Sequence, residues 1–424
     1  MISALLFFLA LVLLMFLGAP VYLAIGAGAL LALRSSGVDS AAIMVELYRL
    51  ASMPALIAIP LFTFSGYVLA ESRAPQRMVR LASALFGWMT GGLAVVTLIT
   101  CALFTAFTGA SGVTIVALGG LLYPMLIEKK YSEKMTLGLL TTTGSLGLLF
   151  PPSLPIILYG LIAKVSIDQL FLAGLIPGLL LIAVLSVYCV LQNREKESAQ
   201  TSFSWRELRA AAAAAIWEIP LPILIIGGIY GGFFTATEAS AVMSAYVVAV
   251  EVFIYRDISF SRELPDVMVK SMVLVGAIFM VMGMALGLTN YLIDQQIPMK
   301  LFDWIHIYVQ GKVLFLIILN IFLLIMNMIE MFSAIIIVVP LIVPVATQYG
   351  IDPVHLGIIF LLNLEIGYMT APFGLNLFLS SIRFEKPITQ IYRASFPFWL
   401  MLLAILMLVT YVPQISLWLV HAHP

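Results

Sequence analysis

TTTGSLGLLFPPSLPIILY at 141–159 and NLEIGYMTAPFGLNLF at 363–378 are the two stretches whose reading decides the fold. Each is an apolar segment of membrane-helix character, interrupted at its middle by Gly, Pro and small hydroxylated residues. Aligned without gaps at an offset of 220, Gly147 meets Gly367 and Pro152 meets Pro372. The same offset pairs Pro124 with Pro344 upstream and Pro177 with Pro397 downstream. Helix breakers at bilayer depth are tolerated only where the freed backbone is buried in protein or lines a cavity. Broken segments at corresponding places in two halves of a chain point to the binding site of a secondary transporter.

Composition agrees with a membrane setting. Of 424 residues, 62% are hydrophobic and 10% charged, where a soluble domain carries about 25% charge. Formal net charge is zero, so nothing points to nucleic acid. Cys101 and Cys189 both lie in apolar runs and imply neither a disulfide framework nor a CxxC metal site. His306, His355, His421 and His423 show no HExxH or comparable ligand spacing, and no P-loop is present. No nucleophile–base or metal constellation stands out, so the chain does not read as an enzyme. Residues 1–17 are apolar without a basic n-region and read as a first membrane helix rather than a cleaved signal.

Taken in order, residues 2–17 and 21–33 form two apolar helices joined at Gly18-Ala19-Pro20, and a third runs over 54–70. The run 88–107 meets a small-residue tip, Thr108-Gly109-Ala110-Ser111-Gly112, and returns through 113–127. That arm is about 22 Å of helix against about 30 Å of hydrocarbon, so 88–127 is expected to be a re-entrant hairpin. A broken helix over 133–163 and a crossing at 169–191 complete a first repeat, 1–191. The polar stretch 192–209 opens a linker, 192–215. The plan then recurs over 216–424: helices at 216–231, 236–255 and 267–293, a hairpin at 313–347, a broken helix at 354–381 and a last span at 391–412. The expected fold is an all-α polytopic membrane protein of two inverted repeats, each with five crossings, one hairpin and one broken helix.

An odd number of crossings per half inverts the second half. Of the 21 basic residues, all but Arg34, Arg49, Lys164, Lys300 and Lys312 then fall on one side. The positive-inside bias assigns that richer side to the cytoplasm. Both termini are expected outside, with the first hairpin entering from the cytoplasm and the second from outside.

An interrupted helix offers opposite ends at the membrane midplane. Carbonyls ending the first half suit Na⁺, and N–H groups opening the second half suit an anion. In the first break Thr143, Gly144, Ser145 and Gly147 supply carbonyls and hydroxyls, and Ser153 is expected to cap the new helix after Pro151-Pro152. In the second, Gly367 and Thr370 precede Ala371-Pro372, and Gly374 and Asn376 open the new half. The tips supply facing oxygens: Thr108, Gly109 and Ser111 opposite the first break, Asn327, Glu330 and Met331 opposite the second. Expected Na⁺ ligands are thus Gly109, Ser111, Thr143, Gly144, Ser145, Gly147, Asn327, Glu330, Met331, Gly367 and Thr370. Expected substrate contacts are Thr108, Ser111, Ser153, Gly374, Asn376 and Glu330. Hard oxygens of this kind fit Na⁺, two or more ions, better than a transition metal. Glu365 has two readings, a contact for Na⁺ or protons, or a buried carboxylate bonded to backbone N–H groups. Glu238 reads as a structural cap.

At these residues the chain resembles a family, the large membrane subunit of tripartite ATP-independent periplasmic (TRAP) transporters, the DctM family. The resemblance covers essentially the whole chain. It rests on GSLGLLFPPSLPIILYG at 144–160, SIDQLFLAGLIPG at 166–178, FFTATEASA at 233–241 and GYMTAPFGLNLF at 367–378. Ala371 departs from the family's usual Thr-Pro-Pro, leaving one Pro in the second break where the first has two. The resemblance implies an elevator-type secondary transporter driven by a Na⁺ gradient in the bacterial inner membrane, where the basic bias puts both termini on the periplasmic side. It also implies a small four-helix membrane subunit of DctQ type, and a periplasmic solute-binding protein of DctP type that delivers an organic acid, a carboxylate or sulfonate. A chain starting directly at a helix looks like an unfused large subunit in contact with membrane lipid. The rival reading is a stand-alone Na⁺/anion symporter or Na⁺/H⁺ antiporter of similar architecture.

A carboxylate at a hairpin tip near bilayer depth is expensive to keep and functional by default. Glu330→Gln keeps the size and removes the charge, so Na⁺-driven uptake should fall sharply in a folded protein. Glu330→Asp should retain more activity than Gln. Wild-type uptake by both variants across the full Na⁺ range would show Glu330 to be an ordinary solvated residue.

Overall fold

The computed structural model describes residues 21–193, 203–326, 331–371 and 374–422, apart from positions 36, 38 and 40. Among them every regular element is a helix. α1 (Val21–Ser35) is followed by the short α2 (Ala41–Ala51), a 3₁₀ turn at Pro54–Ile57, and α3 (Ala58–Glu71). α4 (Ala74–Phe86) begins with a proline in its first turn, where a missing N–H costs nothing. α5 (Gly92–Thr108) ends at Gly109, whose φ of 65° turns the chain within two residues into α6 (Ser111–Glu128). α7 (Glu133–Thr143) is capped by the Ser132 hydroxyl, which accepts from Met135 N–H at 3.3 Å. A 3₁₀ turn at Leu146–Leu149 and a cis Pro151–Pro152 peptide lead to α8 (Leu154–Ala163). α9 (Ile167–Asn193) closes the first half.

The second half opens on α10 (Trp205–Ala214) and α11 (Pro220–Tyr230). α12 (Ala236–Ile254) starts with a capping box: Thr235 Oγ1 accepts from Glu238 N–H, and Glu238 Oε2 accepts from Thr235 N–H at 2.8 Å. Glu238 is therefore the structural cap that its position implied. α13 (Glu263–Asp294) is the longest helix, followed by α14 (Ile297–Tyr308), α15 (Lys312–Met326) and α16 (Met331–Gln348). α17 (Pro353–Gly367) is capped by Asp352, α18 (Leu375–Phe384) follows Gly374, and α19 (Ile388–Tyr411) precedes α20 (Gln414–Ala422). Helices α6, α9, α12, α13, α16 and α19 are long and apolar enough to cross a bilayer.

The offset of 220 reappears in these bounds. Adding it to Ser111 and Glu128, the ends of α6, gives Met331 and Gln348, the ends of α16. Adding it to Gly92, the start of α5, gives Lys312, the start of α15. The halves also exchange partners. α7 packs on α19, α6 on α18 and α8 on α16, so each hairpin's second leg meets the other half's broken segment.

Several expectations need correction. The returning arms 113–127 and 333–347 are longer than expected, because helix geometry already begins within the tips at Ser111 and Met331. At 18 residues each arm is about 27 Å long, so shortness no longer argues for re-entrance. Three polar segments expected as loops or linker contain helices. α4 and α14 occupy equivalent places before the two hairpins, and α10 packs against α4 within the linker 192–215. α11 is an 11-residue helix, about 17 Å, short of a crossing by itself. The helix expected at 2–17 lies outside the described residues.

One charged cluster ties these pieces together. Arg77 on α4 donates to Glu218 just before α11, to both oxygens of Glu251 on α12 at 3.0 and 2.9 Å, and to Asp257 at 2.5 Å. The guanidinium also lies over the Tyr255 ring, 3.9 Å from its centroid. Glu251 is fully buried and Glu218 nearly so. Arg77→Gln would leave three carboxylates without their shared cation, a loss of about 3–5 kcal/mol. A large fall in melting temperature and folded yield is expected, partly restored by Arg77→Lys, which keeps the charge but not the forked geometry. Wild-type melting of Arg77→Gln would show that the cluster contributes nothing to the fold.

Candidate functional site

The first hairpin tip is buried against its own half's break and against α3. A Cβ placed on Gly66, within α3, would sit 2.4 Å from Phe107 O and from Thr108 Cα. One on Gly109 would meet the Leu154 side chain at 2.5 Å. Thr108 and Ser111 are buried, as is the whole run 143–149. Gly147 lets the break touch α5 directly: a Cβ there would lie 2.3 Å from Ala102 O.

Two threonines absent from the expected site clamp the hairpin to this break. Thr105 Oγ1 donates to Gly144 O at 3.0 Å and shares a 2.7 Å hydrogen bond with Thr114 Oγ1, joining α5, α6 and the end of α7. Thr105 and Thr114 flank the tip symmetrically in sequence, the one available hint of their role. The carbonyl of Ser111 also faces Gly144, 3.3 Å from where a Cβ would stand. These contacts place the first tip against the first break.

Asn376 does more than open the second half. Its side-chain N–H groups donate to Thr141 O and to Ser145 Oγ, each at 3.2 Å, across to the first break. Thr141 Oγ1 in turn donates to Ser380 Oγ of α18 at 2.9 Å. The two breaks, more than 200 positions apart in sequence, therefore form one site. Three buried oxygens there have no partner among the described residues: Thr108 Oγ1, Ser153 Oγ and Asn376 Oδ1.

Ser153 corrects an expectation. It sits at the start of α8 with extended backbone, yet its hydroxyl makes no capping bond. Pro155 removes one of the two N–H groups that a capping hydroxyl ordinarily reaches. Other expected ligands have local bonds. Thr143 Oγ1 donates to Leu140 O at 3.2 Å, while Thr370 Oγ1 donates to Ile366 O at 2.8 Å and accepts from Trp399 Nε1 at 3.0 Å. Gly374 N–H donates to Thr370 O at 2.9 Å, and Asn376 N–H to Tyr368 O at 3.1 Å, which closes the second break on itself. Glu365 is fully buried, and neither of its oxygens has a hydrogen-bond partner among the described residues. Asn327, Glu330 and Pro372 lie outside the described residues.

A cavity of about 830 Å³ opens beside the site. Ala110, Ser111 and Gly112 of the first tip line it together with Met331 and Phe332 at the start of α16, Tyr368 and Leu375 of the second break, and Tyr67 and Glu71 of α3. Leu274, Ile278 and Val281 of α13 line it as well. Among the described residues no group of His, Cys, Asp and Glu is arranged to hold a metal ion. Oxygens from hydroxyls, an amide and backbone carbonyls dominate, a donor set that fits a weakly held alkali cation.

The profile of the "Tripartite ATP-independent periplasmic transporter, DctM component" matches residues 8–415. The chain belongs to the DctM family. It is 37% identical to a C4-dicarboxylate TRAP transporter large permease protein of Pseudomonas aeruginosa, over 92% of each chain. An ectoine/5-hydroxyectoine TRAP transporter large permease protein of Ruegeria pomeroyi is 31% identical over 97% of each chain. An isethionate TRAP transporter permease protein of Oleidesulfovibrio alaskensis is 30% identical over 94% of this chain and 64% of its own length. The fold also resembles the crystal structure of the YdaH transporter of Alcanivorax borkumensis, with a TM-score of 0.65, 14% identity, and coverage of 88% of this chain and 87% of that one.

Ser145→Ala and Ser153→Ala each remove one buried hydroxyl from this meeting point. About 1 kcal/mol of interaction is at stake in each, so the half-saturating Na⁺ concentration for transport should rise roughly fivefold, with little change in folded yield. Unchanged uptake by both at limiting Na⁺ would remove the first break from the ion site.

Proposed function

We propose that this DctM chain is the Na⁺-coupled transport subunit of a tripartite system that imports a small organic acid across the bacterial inner membrane. The observation that carries the reading is the Asn376 bridge to Thr141 and Ser145, beside the partnerless oxygens of Thr108, Ser153 and Asn376. Na⁺ would be taken by these groups and by carbonyls of 144–147 and Gly367. An anion would face the starts of α8 and α18, where the N-terminal ends of the helix dipoles favour negative charge. The relatives, named for C4-dicarboxylates, isethionate and ectoine, support a small, polar organic solute.

The 220-residue correspondence of helices supports two inverted repeats, and the seating of Thr108 against Gly66 supports a re-entrant first hairpin. The reading includes an elevator-type motion, in which the paired breaks and hairpins would move together against α1, α3, α12 and α13. With the basic-rich side in the cytoplasm, both termini are periplasmic and the cavity by Glu71 opens inward. A DctQ-type membrane subunit and a DctP-type solute-binding protein complete the system.

Reconstitution with both partners into vesicles tests this. Uptake of the solute that the binding protein carries should require an inward Na⁺ gradient, and it should vanish when either the gradient or the binding protein is omitted. Undiminished uptake without the binding protein would favour the stand-alone symporter instead.

A further inference from the structure

Apolar side chains make up most of the large cavity's lining. α6 contributes Val113 and Val116, α13 Leu274 and Ile278, α16 Phe332 and α18 Leu379. Part of this lining is uncovered: Val116 is 50% exposed and Leu375, in the first turn of α18, 42%. The volume of about 830 Å³ lies in the upper part of the range for pockets that enclose a ligand, about 300–1,000 Å³. Ala110 and Ser111 of the first tip border it, and so does Tyr368 of the second break. It therefore adjoins the meeting of the two breaks and is no remote crevice.

The charges around it lean negative. Among the described lining residues the one charged side chain is Glu71. It pairs with Lys270 of α13 at 3.1 Å, and the same ammonium pairs with Asp266 at 2.8 Å. Two carboxylates thus share one cation. The remaining polar side chains among the described lining residues carry hydroxyls, on Tyr67, Ser111 and Tyr368, and bring no positive charge.

We propose that the solute accepted by this cavity is an organic monoanion with an apolar body, an alkyl or aryl monocarboxylate or monosulfonate, and that a dicarboxylate is discriminated against. This rests on the organic-acid import proposed above and narrows its substrate class. Covering the side chains of α6 and α13 takes apolar surface out of water, which favours each added methylene of the solute. One carboxylate can stay at the start of α18, where the helix dipole favours it. A second, at the far end of the same body, would be desolvated against valine, leucine and isoleucine with no cation to meet it. Glu71 adds repulsion to that cost.

The test uses the chain with its membrane partner subunit in vesicles, with one cysteine introduced on the cavity lining as Ala277→Cys. Native Cys101 and Cys189 are buried. Protection of the new cysteine from a maleimide, in Na⁺ buffer, reads occupancy without the binding protein. From butanoate through pentanoate to hexanoate, the half-protecting concentration should fall roughly fourfold per methylene. Hexanedioate should need a concentration higher than hexanoate by about tenfold or more. Hexan-1-ol, which lacks the carboxylate, should also protect less well than hexanoate. Glu71→Gln should narrow the gap between hexanedioate and hexanoate. Protection indifferent to chain length, or hexanedioate as effective as hexanoate, would overturn the proposal. Equal protection by hexan-1-ol would show an apolar crevice in place of an acid site and overturn it as well. If the complete complex, binding protein included, takes up no organic acid at all, the import reading falls instead.

Discussion

Two helices broken inside hydrocarbon leave carbonyl and N–H groups that only protein can satisfy, and the rest of this structure follows from where those groups find partners. The amide of Asn376 is the centre of the solution. It belongs to the second half's break and donates to the carbonyl of Thr141 and the hydroxyl of Ser145 in the first. Because one side chain serves both breaks, neither can be placed without the other. The hairpins then take fixed seats: Thr105 and Thr114 clamp α5 and α6 onto Gly144, and Gly66 and Gly147 bring helix backbones within reach of the tip and the turn. Small residues at such crossings do in a membrane what large apolar ones do in water, since contact rather than water exclusion drives the packing.

The main lines of this arrangement were legible in the sequence because Gly and Pro act through covalent geometry, which needs no tertiary context. The breaks at 144–153 and 367–374, the hairpin turn at Gly109 and the 220-residue offset all rest on such residues. The pairing of Asn376 with Ser145 was not legible, since nothing in either neighbourhood encodes which distant carbonyl will be near. The arm lengths were misjudged for a local reason: a small-residue tip reads as loop, yet Ser111 and Met331 already have helical neighbours on the C-terminal side.

Helices α4, α10 and α14 were hidden for a different reason. Each is short and carries charge, so an apolar-run reading discards it as connection. The signals were there in polar form: a proline in the first turn of α4 and α14, and a serine at the start of α10 whose hydroxyl accepts from Glu207 N–H at 3.3 Å. α4 shows why such a helix is kept. Arg80 pairs with Glu207 of α10 at 2.9 Å, and Arg77 reaches Glu218, Glu251 and Asp257. One short polar helix thereby joins the first half to the start of the second.

These two sets of polar contacts differ in strength in a way that fits their positions. Around the paired breaks the bonds are neutral, hydroxyl or amide to carbonyl, and each contributes only about 1 kcal/mol net. Around Arg77 they are charge-assisted and partly shielded from water, and losing one member costs several times as much. A neutral bond of that strength is replaced by another contact at little net cost, and Thr108 Oγ1, Ser153 Oγ and Asn376 Oδ1 have no partner among the described residues to give up. A partly buried guanidinium shared by three carboxylates has no such replacement. The chain has placed its exchangeable contacts where two broken helices meet and its unexchangeable ones where α4 joins α11 and α12, so a change of partners at the first site can occur without loosening the second.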